Sequence, residues 1–442
     1  MALSERDRSQ RHAAELVGAR QGEAPREQDG RRPSLDVARI RKDFPIFERE
    51  IDGRRLVYLD SASSSQRPAA VIEAINRYYE RHHANVHRSV YRLATEATEM
   101  YEDARRRVAR FIGSPSESQV VFAKNVTEAI NLVAHSWARA NLREGDAVLL
   151  TEIEHHANIV PWLMLKEERD IELRYLPMAD DYTLDLSDLD RLIDGVKLVS
   201  FTALSNVLGT ITPIRQLVDA AHAAGAVTLI DAAQHVPHLP TDVQAMGADF
   251  VAFTGHKMLG PTGIGVLWGR SELLEAMPAF LGGGEMILDV RLDGWTPNVV
   301  PHKFEAGTPP IAEAVGLGAA IDYLESLDMG AVREHEVSLT AYALRTLTER
   351  FGDNLTIHGP SEPAGRGGVL SLDLAGVHAH DVSQVLDQYG VCVRAAHHCA
   401  KPLMRRLGVS ATARASLYVY NDTDDIDALA EALQATRDFF EL

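Results

Sequence analysis

The chain has 442 residues, 45% hydrophobic and 24% charged, enough to bury a sizeable core in roughly two or three structural units. Its 63 acidic residues against 45 basic ones leave a formal charge of −18, which argues against a general nucleic-acid or anionic-membrane surface and favours small-molecule chemistry. Two cysteines, Cys392 and Cys399, make no disulfide framework, so a reducing, cytoplasmic setting is expected and a special thiol is free to react.

Residues 1–35 mix arginine with acidic residues and lack the apolar stretch of a signal peptide; a disordered tail is expected. No apolar run is long enough to cross a bilayer. From Asp36 amphipathic segments alternate with short apolar runs, the pattern of βα units on a mostly parallel sheet. Strands are expected over Asp146–Leu150, Lys197–Thr202, Ala226–Asp231, Asp249–Thr254 and Gly263–Gly269, with a helix over Ile214–Ala224. After Gly307-Thr308-Pro309-Pro310 the pattern is helical from Ile311 to Phe351, then gives short strands and a last helix near Asp425–Phe440. Residues 36–310 read as a large domain, its first residues able to pack on a small domain of residues 311–442.

Chemistry-bearing residues follow the strands, where open α/β sheets place their ligands. Lys257, one of seven lysines, stands in Thr254-Gly255-His256-Lys257 directly after an apolar strand. The surrounding glycines fit neither a P-loop nor a dinucleotide fingerprint. A partly desolvated lysine beside a hydroxyl and an imidazole suits a Schiff base to an aldehyde cofactor, with neighbours able to hold a phosphate. Pyridoxal phosphate also needs a carboxylate for its ring nitrogen, and Asp231 ends a strand in the right place; Gln234 could reach the ring oxygen. Taken alone, Asp231 reads equally well as a helix cap. His155, in Glu154-His155-His156-Ala157-Asn158, could stack on the ring, although His82-His83-Ala84-Asn85 repeats the tetrapeptide elsewhere. Cys392 sits in an apolar run like a small core residue, whereas Cys399 follows His397 and His398 in a turn-like segment.

These segments, with Ser205 to Thr210, Lys303-Phe304-Glu305-Ala306-Gly307-Thr308-Pro309, Tyr58 to Ala62 and Arg394-Ala395-Ala396-His397-His398-Cys399, resemble the Suf-type, group II cysteine desulfurases from about Asp36 onward. The resemblance implies an α/β fold-type I transferase dependent on pyridoxal 5'-phosphate, with a mostly parallel seven-stranded sheet in the large domain, a smaller α+β C-terminal domain and a homodimeric assembly. It implies that L-cysteine gives L-alanine while its sulfur passes to Cys399 as a persulfide, then to an acceptor protein for iron-sulfur cluster assembly. Lys257 would hold the cofactor and move the substrate's α-proton. His397 and His398 would favour the Cys399 thiolate. By position, Arg414 matches the clamp on the substrate carboxylate and Asn206 a residue near substrate and ring oxygen. Arg394 is also matched on the substrate side. Thr127, Thr254 and His256 match phosphate contacts, and Thr308 a phosphate contact from the other subunit.

Two positions depart from the family pattern. Ala396 replaces a usual glycine, at a cost of roughly 1 kcal/mol or more if that residue needs positive φ. Val126 replaces a hydroxyl in the phosphate turn. His380, in Val377-His378-Ala379-His380-Asp381, resembles the histidine of forms served by a zinc-containing SufU-type acceptor, where an imidazole could exchange onto the partner's zinc; a SufE-type acceptor and a plain helix-cap region are the alternatives. No intrinsic metal site is expected. A related cysteine or selenocysteine lyase feeding a specialised sulfur pathway remains the second functional reading, and a catalytically silent scaffold the third.

Overall fold

The computed structural model describes residues 35–442; residues 1–34 of the expected tail lie outside the described residues. Val57–Tyr58 (β1) precedes helices Ala69–Arg81 (α1) and Arg92–Phe111 (α2), strand Val120–Ala123 (β2) and helix Val126–Leu132 (α3). Then come Ala147–Thr151 (β3), Val160–Arg169 (α4), Glu172–Leu176 (β4), Val196–Thr202 (β5), Ile214–Ala223 (α5), Val227–Asp231 (β6), Phe250–Thr254 (β7) and Gly265–Gly269 (β8). Seven of these strands form one sheet in the order β2-β8-β7-β6-β5-β3-β4.

Strand β8 runs antiparallel to both neighbours, and the other pairs are parallel. The loop between β7 and β8 is too short for a crossover helix, so the chain returns as a hairpin, and that return carries Lys257. Strands β3, β7 and β8 are buried at every residue, which is why they read as continuous apolar runs. Alternate side chains feed the two faces: Phe253, Val251 and Ile230 enter one core cluster, and Ala252, Phe250 and Leu229 the other. Strand β4 is half-exposed at the sheet edge, and its mixed Glu-Leu-Arg-Tyr-Leu pattern hides it from a search for apolar runs.

The long helical stretch is two helices, Ile311–Leu327 (α6) and Met329–Phe351 (α7). Asp328 breaks it with φ 64°, and its carboxylate caps α7 by accepting from Gly330 N at 2.7 Å. Leu355–His358 (β9), Val369–Leu374 (β10), Ala379–Gln388 (α8), Val391–Cys392 (β11), Arg394–Ala396 (β12), Lys401–Leu407 (α9), Thr412–Ser416 (β13) and Thr423–Phe439 (α10) follow. The second sheet, ordered β9-β10-β13-β12, is antiparallel throughout. Helix α10 begins earlier than expected because Asp422 and Asp425 form a reciprocal capping box.

The N-terminal segment ties onto this second part. Strand β1 pairs in parallel with β11, and Ser416 N donates to Leu59 O at 2.7 Å. Residues 60–63 are thereby brought beside β13. No helix of the described residues is long and apolar enough to cross a membrane.

Candidate active site

A cavity of about 200 Å³ opens where the parallel strands of the first sheet end and the second sheet begins. The sequence-identified residues Lys257, His155, Asn206, Val126, Thr127 and His256 line it from the first sheet's loops, and Arg394, Cys399 and Arg414 from the other side. Asp231 and Gln234 are buried behind it at the end of β6. Thr254 also lies behind, its hydroxyl directed to Ile264 O at 3.5 Å across the hairpin neck. Thr308 lines a different cavity of about 450 Å³. His380 is exposed in the first turn of α8, where His378 Nδ1 accepts from His380 N at 3.3 Å.

Lys257 is recessed, and desolvation draws its ammonium from 10.5 to about 8, against the opposing pull of Asp231. Burial in turn pushes the Asp231 carboxyl up; its Oδ1 accepts from Ala233 N at 3.0 Å. Burial, then Lys257, holds His155 down at about 3, so its imidazole is neutral. Its Nδ1 accepts from Ala157 N at 3.0 Å, which leaves the proton on Nε2. Beneath it Glu154 is fully buried and pushed up to about 8 by desolvation, while accepting from Asn158 Nδ2 at 2.7 Å and Thr202 N at 2.9 Å. Those bonds fix the turn that presents His155.

The arginines are held by residues that follow the N-terminal strand β1 and by the Asn206 carbonyl. Arg414, buried on β13, donates to Asn206 O at 2.9 Å, to Asp60 Oδ1 at 3.2 Å and to Ser63 Oγ at 2.7 Å. Arg394 stands opposite on β12 and donates to the same Ser63 Oγ at 2.9 Å. Ser63 therefore orients both cations and Asp60 orients Arg414, and the signal for them was the polar Asp-Ser-Ala-Ser following an apolar β1. Asn206 lines the pocket, and its Nδ2 donates to His398 O at 2.9 Å, holding the cysteine loop.

Two expectations need correcting. Ala396 lies in strand β12 and is not a positive-φ residue; the left-handed residues are His398 (φ 50°) and Cys399 (φ 55°), so alanine carries no such penalty here. His398 cannot act as a cation toward Cys399, because burial and Arg414 hold it near 3 and its Nε2 faces Thr412 Oγ1 at 2.9 Å. His397 Nδ1 accepts from Cys399 N at 3.1 Å. Lys257, Arg394 and Arg414 line the same pocket as the thiol. In the Lys303-Phe304-Glu305 segment the charges are structural: Lys303 Nζ donates to Leu274 O at 2.8 Å, and buried Glu305 binds Arg105 at 2.6 and 2.8 Å.

The pocket suits an anionic, aromatic cofactor by its donor set. A recessed amine, a buried carboxylate, a neutral imidazole face and the N-terminus of α3 converge, and buried Gln234 Oε1 and Arg414 Nε have no hydrogen-bond partner among the described residues. Gly265 permits this closeness, since a Cβ there would fall 2.5 Å from Asn125 Cα, at the cap of α3.

Residues 57–429 match the aminotransferase class-V family model. The chain belongs to the class-V aminotransferase family. It is 52% identical to a Streptomyces coelicolor protein named "Probable cysteine desulfurase", over 92% of this chain and 98% of that one. It is 46% identical to a cysteine desulfurase of Haloferax volcanii, over 92% and 98%. The crystal structure of the Escherichia coli cysteine desulfurase CsdA superposes with TM-score 0.83 at 37% identity, over 92% of this chain and all of that one. The fold-type I architecture expected for this class-V chain, a mostly parallel seven-stranded sheet with a second, smaller sheet, is the one the structure has.

Proposed function

We propose that the chain is a pyridoxal phosphate-dependent cysteine desulfurase that converts L-cysteine to L-alanine and passes the sulfur through Cys399. The observation that carries this reading is one pocket shared by a recessed amine, a thiol on a left-handed turn and the buried guanidinium of Arg414, with the exposed Arg394 beside it. Its relatives of about 50% identity point the same way.

Bound pyridoxal phosphate supplies an electron sink for charge developing at the substrate's α-carbon. Lys257 Nζ would hold the cofactor and, as a free amine, would take the substrate's α-proton. Asp231 would pair with the ring nitrogen, His155 would cover the ring, Gln234 would serve the ring oxygen, and Thr127, Thr254 and His256 would serve the phosphate end together with the Val126 turn. Arg414, with Arg394 beside it, takes the substrate carboxylate. Cys399 Sγ attacks the substrate sulfur as a thiolate; the S–S bond forms as the C–S bond breaks, and that bond's electron pair stays with the alanine fragment. Residues 36–310 form the cofactor domain and 311–442 the smaller domain bearing Cys399. Thr308 serves the pocket of a second copy in a homodimer, since within one chain it lines a separate cavity. The setting is cytoplasmic and the sulfur is destined for iron-sulfur cluster assembly.

The deciding experiment is incubation with L-cysteine followed by intact and peptide mass: one added sulfur on the peptide carrying Cys399, with alanine released, is the expected result. Alanine without a modified Cys399 peptide would overturn the reading.

Arg414→Lys keeps the charge but loses the planar fork. The expected result is a rise in KM for L-cysteine of roughly 10- to 100-fold, the size of a lost charge-assisted hydrogen bond, with cofactor absorbance unchanged. Equal damage to cofactor loading would make Arg414 a structural residue.

Exposed His380 is available to a docking protein, and an imidazole is an ordinary zinc ligand. In this reading the acceptor is a zinc-loaded SufU-type protein onto whose zinc His380 exchanges. His380→Ala should abolish the stimulation of turnover by that acceptor while sparing turnover with a small thiol. Full stimulation of the variant would favour a SufE-type acceptor.

A further inference from the structure

His156 neighbours the ring-covering His155, and its contacts lie on the cysteine loop. Its backbone N donates to Cys399 O at 2.7 Å, and its Nε2 accepts from Lys401 N at 2.9 Å. Lys401 is the first residue of α9, so its N–H is one of the amides that a helix start leaves without an internal acceptor. His156 supplies that acceptor from the other side of the pocket. Its ring also lies 5.7 Å from that of His397, centroid to centroid.

Between these two anchor points the backbone is in an unfavourable conformation. His398 and Cys399 are consecutive non-glycine residues at φ 50° and 55°. Such residues persist only where surrounding contacts over-determine them. His397 contributes from inside the loop, accepting from Cys399 N through Nδ1 and from Ala400 N through its carbonyl at 2.9 Å. Asn206 holds the His398 carbonyl. Of these partners His156 alone grips both the cysteine's own carbonyl and the helix start. Burial, followed by His397 and Lys401, draws its pKa below the usual 6.5, which keeps Nε2 free to accept.

We propose that His156 is the positioning residue for Cys399: backbone amide and imidazole together hold residues 398–401 in the left-handed turn that keeps the thiol over the Lys257 pocket. The consequence for catalysis rests on the desulfurase reading; the clamp itself does not. A nucleophile displaced by about 1 Å loses on the order of 100-fold in rate. Loosening the clamp therefore slows attack on the substrate sulfur, which needs that placement, and leaves delivery of an already formed persulfide to a small thiol unhindered.

The test compares holoenzyme carrying His156→Leu, which removes the side-chain acceptor, with His156→Gln, whose amide oxygen reaches the Nε2 position. Three measurements are made on each: amide hydrogen exchange at Lys401, the single-turnover rate of persulfide formation, and the rate at which preformed persulfide passes to dithiothreitol. In the leucine variant, exchange at Lys401 should quicken roughly tenfold and persulfide formation slow by about the same factor or more, with L-cysteine KM and sulfur delivery unchanged. Glutamine should restore most of both effects, an outcome that general damage to the fold does not produce. Wild-type exchange at Lys401 in the leucine variant, or a glutamine variant as impaired as leucine, would overturn the proposal, and so would equal slowing of formation and delivery. If the wild-type protein forms no persulfide at all, the desulfurase reading fails, while the exchange data still decide the clamp.

Discussion

Replacing Cys399 by serine is expected to abolish sulfide release from L-cysteine, a loss of roughly 10³-fold or more, as for other removed nucleophiles. Cofactor absorbance and the first spectral response to substrate should stay as in the wild type. A hydroxyl at this position is nearly isosteric, so the loop and its bonds from His156 N and to His397 Nδ1, which use the backbone of residue 399, survive the change. What disappears is a soft nucleophile able to take sulfur. The second cysteine is the internal control. Cys392 lies on β11, paired with β1, and burial raises its thiol pKa, so it is a poor nucleophile outside the lining of the pocket that holds Cys399. Cys392→Ser should retain most activity. Were it the inactive variant instead, the assignment of the thiol would be wrong.

Much of the cofactor side of this site was legible because its chemical groups end or follow apolar, largely buried strands. Strands β5, β6 and β7 announce themselves as runs such as Lys197–Thr202; Asn206 and Lys257 follow β5 and β7, and Asp231 ends β6. Strand β4 was hidden because an edge strand alternates polar and apolar residues. The break at Asp328 was hidden because its neighbours on both sides favour helix, and only the aspartate's left-handed backbone and cap reveal it. Asp60, Ser63 and His156 escaped assignment for a different reason. They act on residues hundreds of positions away, Arg414 and Cys399, and no local spacing encodes a contact made by folding the N-terminal strand onto the last sheet.

The conformation of the cysteine loop shows the limit from another side. A departure from the usual glycine at Ala396 suggested strain at that residue, yet the positive φ angles fall two and three positions later, on His398 and Cys399. Sequence marks a turn; the phase of the turn depends on the partners that grip it. Likewise a pair of histidines beside a thiol suggests a cationic neighbour, but burial makes His398 neutral, and the basic side chains that share the pocket with the thiol are Lys257, Arg394 and Arg414.

Lys257→Ala is expected to remove the covalent attachment of the cofactor and with it desulfurase activity. The loss includes the 10²- to 10⁴-fold share typical of a positioned proton-transfer group, on top of the lost attachment. The reason lies in the pocket's desolvation of the amine. An amine at its usual 10.5 is almost wholly protonated at pH 7 and condenses poorly with an aldehyde. Drawn down to about 8, the neutral fraction rises about 300-fold at the same pH. Asp231 opposes that shift, so Asp231→Asn should lower the amine's pKa further while removing the carboxylate that would pair with the ring nitrogen. The two effects separate experimentally. Capture of pyridoxal phosphate by the wild-type apoprotein, followed by the absorbance of the attached chromophore, should quicken as pH rises through about 8 and then level off. In Lys257→Ala the chromophore should not attach at any pH, and added pyridoxal phosphate should wash out on dialysis. Retention of a covalently attached chromophore in that variant would place the attachment on another lysine, and the chain offers only six others.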